Sequence, residues 1–278
     1  MEIEWMGTAT VRFIEEGASI LFDPFIPMNP QLRMTSLEKL AAAEAILITH
    51  GHFDHLADVP GVMAAGSARV YCSETAAASL VREGVDPARI TTVAAGGRLQ
   101  IGTFAIRVLK GRHVRFDSRL VRATLLNRRI LIYFGNFIKI FAAMRSYPEG
   151  QTLMYEIKSK GRTILHMGSL NMDETERYPE RVDIMTIPFQ GRSDIDEYAA
   201  GFVRRVMPRM LYLHHFDDSF PPISSTVETS NFIEKIAELF PGITTIVPTH
   251  GEVLNMDAFP NTRSVQRDGA CEGKPASA

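Results

Sequence analysis

Ala45-Ile46-Leu47-Ile48-Thr49-His50-Gly51-His52-Phe53-Asp54-His55 runs from an apolar stretch into three imidazoles and a carboxylate packed within six positions. The run 45–48 reads as a short buried strand that would hold the turn after it rigidly. His50 and His52 are two residues apart, so an extended chain points both side chains the same way. Asp54 and His55 follow at once, where a turn can aim them at a second ion beside the first. Ligands four apart, as a helical zinc motif requires, are absent. Without a cation the turn would carry several competing polar groups. A divalent ion turns them into a site. The alternative is an exposed His-rich loop that binds metal adventitiously, and the rigid strand before it argues against that.

Outward from this stretch the chain has the composition of an ordinary soluble globular protein. It has 278 residues, 45% of them hydrophobic and 22% charged, with a net charge of −2. That length can bury a substantial core. Met1-Glu2-Ile3-Glu4-Trp5 has neither the basic nor the apolar region of a secretory signal. No apolar run reaches the roughly 18 residues a membrane span needs. Cys72 and Cys271 are the two cysteines, and Cys271 sits in a polar tail. A disulfide framework is not expected, and a reducing, cytoplasmic location fits best.

Periodicity and turn residues predict strands at 3–6, 10–15 and 19–22, a helix over 36–44 and a strand over 45–49. A strand at 70–72 precedes a helix over 74–83, and strands follow at 90–93, 98–101 and 103–109. Strands at 152–157 and 162–167 form a hairpin across Ser159-Lys160-Gly161. A strand at 183–187, a helix at 194–206, a strand at 210–213, a helix at 225–239 and a strand at 244–247 complete the pattern. Two packed sheets with helices outside would bury such strands on both faces. The expected organisation is one domain over 1–263 and a disordered tail over 264–278.

A basic and apolar insertion near 112–150 breaks the rhythm. Ten basic residues lie between Arg107 and Arg145, against the single acid Asp117. Within it, the run from Ile130 to Phe141 is too apolar for a free loop. One reading is a helix or hairpin packed on the core with solvated basic flanks. The other is a lid or rim over the site, attractive to anionic substrates or anionic lipid.

The His50-x-His52-x-Asp54-His55 run resembles the signature of the metallo-β-lactamase superfamily of metal-dependent hydrolases. Trp5-Met6-Gly7-Thr8-Ala9-Thr10 and Leu21-Phe22-Asp23-Pro24 resemble the start of its L-ascorbate-6-phosphate lactonase-like branch. His166-Met167-Gly168 stands where that branch has His-x-Gly-Asp-Thr. The resemblance covers residues 3 to 255 or so and implies an α/β fold, a four-layer αβ/βα sandwich of two mixed sheets with metals at one edge. It also implies a first site of His50, His52 and His113, and a second of Asp54, His55 and a late histidine. His113 is a candidate on chemical grounds too, because it follows a β run where a loop begins. His215 is the favoured late histidine, since strand 210–213 is next in line after the helix 194–206. His214 and His250 are the alternatives. Ser169 follows Gly168 where the family has a bridging aspartate, so a two-ion site loses charge compensation. Asp173 lies too far along to substitute simply, unless a bent loop returns it.

The expected cofactor is one or two divalent ions, zinc foremost, with manganese and iron as alternatives. Zinc lowers the pKa of bound water to roughly 7 and polarises a carbonyl or phosphoryl oxygen. Asp54 would hold the resulting hydroxide and pass its proton to the leaving group. The expected reaction is hydrolysis of an ester, lactone, amide or phosphodiester in a small substrate, anionic ones included. Asp23 and Thr49 are candidates for fixing the imidazoles, with turn capping as their alternative role. Redox use is disfavoured, because the resembling flavo-diiron proteins carry glutamate where this chain has His52. A nucleic-acid phosphodiesterase is the runner-up, and the resemblance includes RNA-processing members. Against it stand the net charge of −2 and the lack of a large inserted clamp. A non-catalytic metal-binding or membrane-surface role is the third reading.

Overall fold

Side-chain alternation along short strands sorts the apolar residues of this chain into three cores, and three cores require four layers. In the strand Ala45–Leu47, Ala45 and Leu47 face one core while Ile46 faces another. The computed structural model describes residues 1–32 and 35–259. The tail expected over 264–278 lies outside the described residues.

The first half contains β1 (Glu2–Trp5), β2 (Val11–Glu15), β3 (Ala18–Phe22), α1 (Leu37–Ala41), β4 (Ala45–Leu47), α2 (Phe53–Leu56) and α3 (Val59–Ala65). It continues with β5 (Arg69–Cys72), α4 (Glu74–Arg82), β6 (Ile90–Thr92), β7 (Arg98–Ile101) and β8 (Phe104–Lys110). Three helices follow: α5 (Ser118–Leu125), α6 (Arg129–Ile132) and α7 (Phe134–Ser146). The second half holds β9 (Leu153–Ser159), β10 (Arg162–Met167), β11 (Ile184–Pro188), α8 (Ile195–Val206) and β12 (Met210–His214). It ends with α9 (Ser230–Leu239), β13 (Thr244–Ile246) and β14 (Val253–Asn255).

One sheet has the order β14-β1-β2-β3-β4-β5-β6 and the other β13-β12-β11-β10-β9-β8-β7. The first has three antiparallel pairings followed by three parallel ones, and the second, in the order given, three parallel followed by three antiparallel. Ile3, Phe13, Phe22, Phe104, Tyr155 and Tyr212 are among the residues filling the space between the sheets. The outer face of the first sheet buries Leu21, Ile46 and Val70 against Leu40, Val62 and Leu80 of the helices. On the far side, Leu165, Met185 and Leu211 pack on Val203 of α8 and Phe232 of α9. This is the four-layer αβ/βα sandwich of two mixed sheets expected from the sequence.

The expected hairpin joins β9 to β10, with Ser159 opposite Arg162. Lys160 and Gly161 both adopt positive φ, at 45° and 76°, as a two-residue turn matched to strand twist requires. Two expectations need correction. The last helix begins at Ser230, not at 225, because residues 225–229 run along the site instead. The 130–141 run is helical but meets the core through a single buried residue, Ile140, while Leu131, Ile132 and Phe134 are exposed. An apolar run marks a surface that avoids water, yet it does not say what covers that surface.

Strands β3, β4, β8, β10 and β12 end at one edge of the sandwich, where the loops after their carboxyl ends come together. Tyr155 ties the two sheets together there. Its ring is fully buried against Phe22, and its hydroxyl donates to the carbonyl of Ile48 at 2.7 Å. Tyr155→Phe leaves that carbonyl without its partner and is expected to destabilise the protein by about 1–2 kcal/mol. Urea unfolding reads this as a lower midpoint at constant m; an unchanged midpoint would remove Tyr155 from the account of how the edge is held.

Candidate metal centre

The loop after β4 presents its ligands in two steps. His50 and His52 face the same side, with His50 Nε2 3.1 Å from His52 Nδ1, and the backbone at His52 is extended. His52 then occupies the N-cap position of α2, and that one-turn helix carries Asp54 and His55 round to the neighbouring position. Phe53 anchors the turn by packing on Phe25 and Phe220. The loop after β8 brings His113 onto His50 and His52, with ring centres 5.0 and 4.6 Å away.

Two groups of three result, each with ligand atoms all within 4.8 Å of one another: His50, His52 and His113, and Asp54, His55 and His215. They adjoin, since the rings of His50 and His55 are 3.9 Å apart. His215 follows β12 and points its Nε2 at Asp54 Oδ2, 3.3 Å away. Its backbone holds a left-handed φ of 57°, a conformation that non-glycine residues keep only when their surroundings enforce it.

Hydrogen bonds fix which ring nitrogens face the site. Asp23, fully buried after β3, accepts from the Thr49 amide at 2.8 Å and the Thr49 hydroxyl at 2.6 Å. The same carboxylate lies 2.9 Å from His55 Nδ1. With its proton on Asp23, the Thr49 hydroxyl accepts from His50 Nδ1 at 3.0 Å. His113 Nδ1 donates to the Val114 carbonyl at 2.8 Å. Each bond occupies Nδ1 and leaves Nε2 of His50, His55 and His113 directed inward.

Protonation agrees with that arrangement. Burial pushes His50 well below the ordinary imidazole range, and His55 and His113 beside it push the same way. Burial also lowers His52, and it brings His113 down to about 4, helped by His52. Their lone pairs are therefore free of protons at neutral pH, the state in which imidazole takes a cation. For Asp54, burial works upward, but His55 and His215 outweigh it and hold the carboxyl well below the usual range. For His55, burial works downward and is outweighed by Asp23 and Asp54, so its pKa rises. Three convergent imidazoles beside an N,N,O group suit zinc or a similar divalent ion.

A family profile described as a β-lactamase superfamily domain matches residues 2–215, from the first strand to the late histidine of the site. The chain belongs to that superfamily. A UPF0173 metal-dependent hydrolase of Methylocella silvestris is 31% identical over 168 residues, which are 60% of this chain and 62% of that protein. The chain thus spans somewhat less than two thirds of that relative. One from Anaeromyxobacter sp. strain K is 29% identical over 82% of this chain and 78% of its own length. The metallo-β-lactamase fold protein YhfI from Bacillus subtilis superposes with a TM-score of 0.61 at 15% identity, over 91% of this chain and 98% of that one. The metal-dependent hydrolase class expected from the sequence agrees with the names these relatives carry.

Against the superfamily pattern, position 169 is the departure. Gly168 is demanded by packing: a Cβ there would lie 2.1 Å from Thr49 Oγ1. The following Ser169 accepts from the Val114 amide at 2.9 Å, so its hydroxyl holds the His113 loop against β10. Asp173 does not return to the centre; it pairs with Arg112 and Lys110 and accepts from Thr175. Of the alternative late histidines, His214 directs Nε2 at the Met167 carbonyl, and His250 packs edge-on to Trp5 near Asp217. Neither belongs to the two groups. His166 lies in the core against Phe22, bonded to the Thr186 hydroxyl.

Ser169→Asp is expected to raise occupancy of the Asp54, His55 and His215 group, read as a higher metal-to-protein ratio by elemental analysis. An unchanged ratio under saturating zinc or manganese would contradict the role given to this position.

Proposed function

We propose that this chain is a metal-dependent hydrolase that cleaves an ester, lactone, amide or phosphodiester bond in a small substrate with an apolar portion. The observation that carries the reading is the pair of adjoining three-donor groups at the floor of one cleft. His50, His52 and His113 would hold one divalent ion, and Asp54, His55 and His215 a second. Such an ion supplies Lewis acidity, polarising the scissile group and lowering the pKa of water.

The protein's own groups supply the rest. Asp54 stays ionised at neutral pH, so it accepts a hydrogen bond from the attacking water and orients it. As a weak base it readily gives up any proton it takes, to the leaving group. Phe53, Leu120, Met144, Phe220, Ile223 and Val227 line the cleft and exclude bulk water, which strengthens each electrostatic contact inside. Gln190 and Arg192 are polar groups on the same wall, and Arg192 is held by Asp194 and by stacking on Tyr198. They suit a substrate with an anionic or carbonyl-bearing end.

The motifs at 5–10, 21–24 and 166–168 support the lactonase-like branch within this class, and the imidazole-rich donor set supports zinc. Cys72 is buried, and that burial pushes its thiol up to about 12, which makes it a poor nucleophile. It also lies outside the cleft lining, which leaves no thiol among the described residues there to act as nucleophile.

Turnover of a panel of aryl esters, lactones and phosphodiesters should disappear on chelation and return with zinc or manganese. His52→Ala is expected to lose most bound metal and about 100-fold or more in kcat/KM with an unchanged far-UV spectrum. Chelator-resistant turnover, or a fully active and metal-replete variant, would contradict the proposal.

A further inference from the structure

Fifteen large apolar side chains are exposed among the described residues, and ten of them fall between Phe116 and Met144. Leu126 and Leu131 are 81% and 79% exposed. The stretch from α5 to α7 is therefore an apolar surface far more concentrated than the scattered exposure usual on soluble proteins. Cations are interleaved with it: Arg115, Arg119, Arg122, Arg128, Lys139 and Arg145 are all exposed. None of the six makes an ion pair among the described residues, Arg145 instead lying over the Phe141 ring. The one acid in the stretch, Asp117, is committed to capping α5 and to accepting from Ser193.

The surface is held in place, not left loose. Ile140 and Tyr147 bury on the helix side of the first sheet. Arg129 pairs with Asp218 and donates to the Ser224 carbonyl, and Arg82 donates to the Ser146 carbonyl. Two of the ten, Phe116 and Met144, belong to its inner side, where with Leu120 and Thr124 they form one wall of the cleft. Among the described residues the other eight stay uncovered.

We propose that the outer side of α5–α7 docks on the surface of an anionic phospholipid bilayer. Apolar side chains would enter the acyl boundary while the arginines and Lys139 meet the headgroups. A second copy of the chain is a poorer occupant, because a symmetric contact would lay this cationic surface against itself. Docking would place the mouth of the cleft at the lipid interface and give amphipathic molecules a short path into it. The proposal adds to the hydrolase reading without depending on it, because vesicle binding is measured without turnover.

Co-sedimentation of the full chain with vesicles tests it. Strong binding is expected to vesicles with roughly 30% phosphatidylglycerol at about 0.05 M salt, weak binding to pure phosphatidylcholine, and a several-fold loss at about 0.5 M salt. Leu131→Asp with Ile132→Asp should lower partitioning at least about tenfold, and so should Arg122→Gln with Arg128→Gln, with folding checked by circular dichroism. Equal weak binding to both vesicle types, or undiminished binding by folded variants, would overturn the proposal. So would a lipid-free dimer broken by Leu131→Asp, or salt-sensitive RNA binding in place of vesicle binding.

Discussion

The Asp23 carboxylate is the constraint on which the centre depends. It is fully buried, at a left-handed φ of 46°, and it faces two groups of Thr49 and one nitrogen of His55. A buried charge with fewer partners would be expensive, so the network has to be complete to exist. Once complete, it locks the end of β3 to the turn after β4. It also decides the tautomer of His55 directly and that of His50 through the Thr49 hydroxyl. The chemistry of the centre is thus written into a residue that is not itself one of the six candidate ligands.

The same economy of placement runs through the rest of the edge. Gly168 has no side chain because Thr49 occupies that space, and Ser169 uses its hydroxyl to hold the loop that carries His113. Each sheet contributes strands whose carboxyl ends meet here, so the two groups of donors are set by the sandwich itself and not by one flexible loop. Burial does two opposed things at once. It strips protons from His50, His52 and His113, while Asp54 remains a carboxylate only because His55 and His215 surround it. A cation placed among such groups meets lone pairs and a negative charge already in position.

Much of this was legible in the sequence, for physical reasons that differ by element. The 50–55 run is dense in donors and follows an apolar strand, so both its chemistry and its rigidity could be read locally. The β9–β10 hairpin was visible because Lys160-Gly161 is turn chemistry between two alternating runs. His113 had a local mark in its place after a β run where a loop begins, whereas His215 and Asp23 were reached through chain order and resemblance. β14 was missed: three residues beside β1 carry too little pattern to register. The one-turn α2 was read as a plain turn because four residues have no periodicity. For the 118–146 helices, sequence spoke to apolarity but not to exposure. The structure corrects the packed reading and leaves an apolar, cationic outer side.

The central claim is that these two groups of side chains are two adjoining cation sites. Anomalous diffraction from crystals of protein grown and purified without added metal or chelator, collected above and below the absorption edge of the metal found, tests it directly. The account predicts one peak enclosed by His50, His52 and His113, and a second by Asp54, His55 and His215 once zinc or manganese is supplied in excess. Peaks confined to other parts of the molecule, or none at either position with metal in excess, would contradict it.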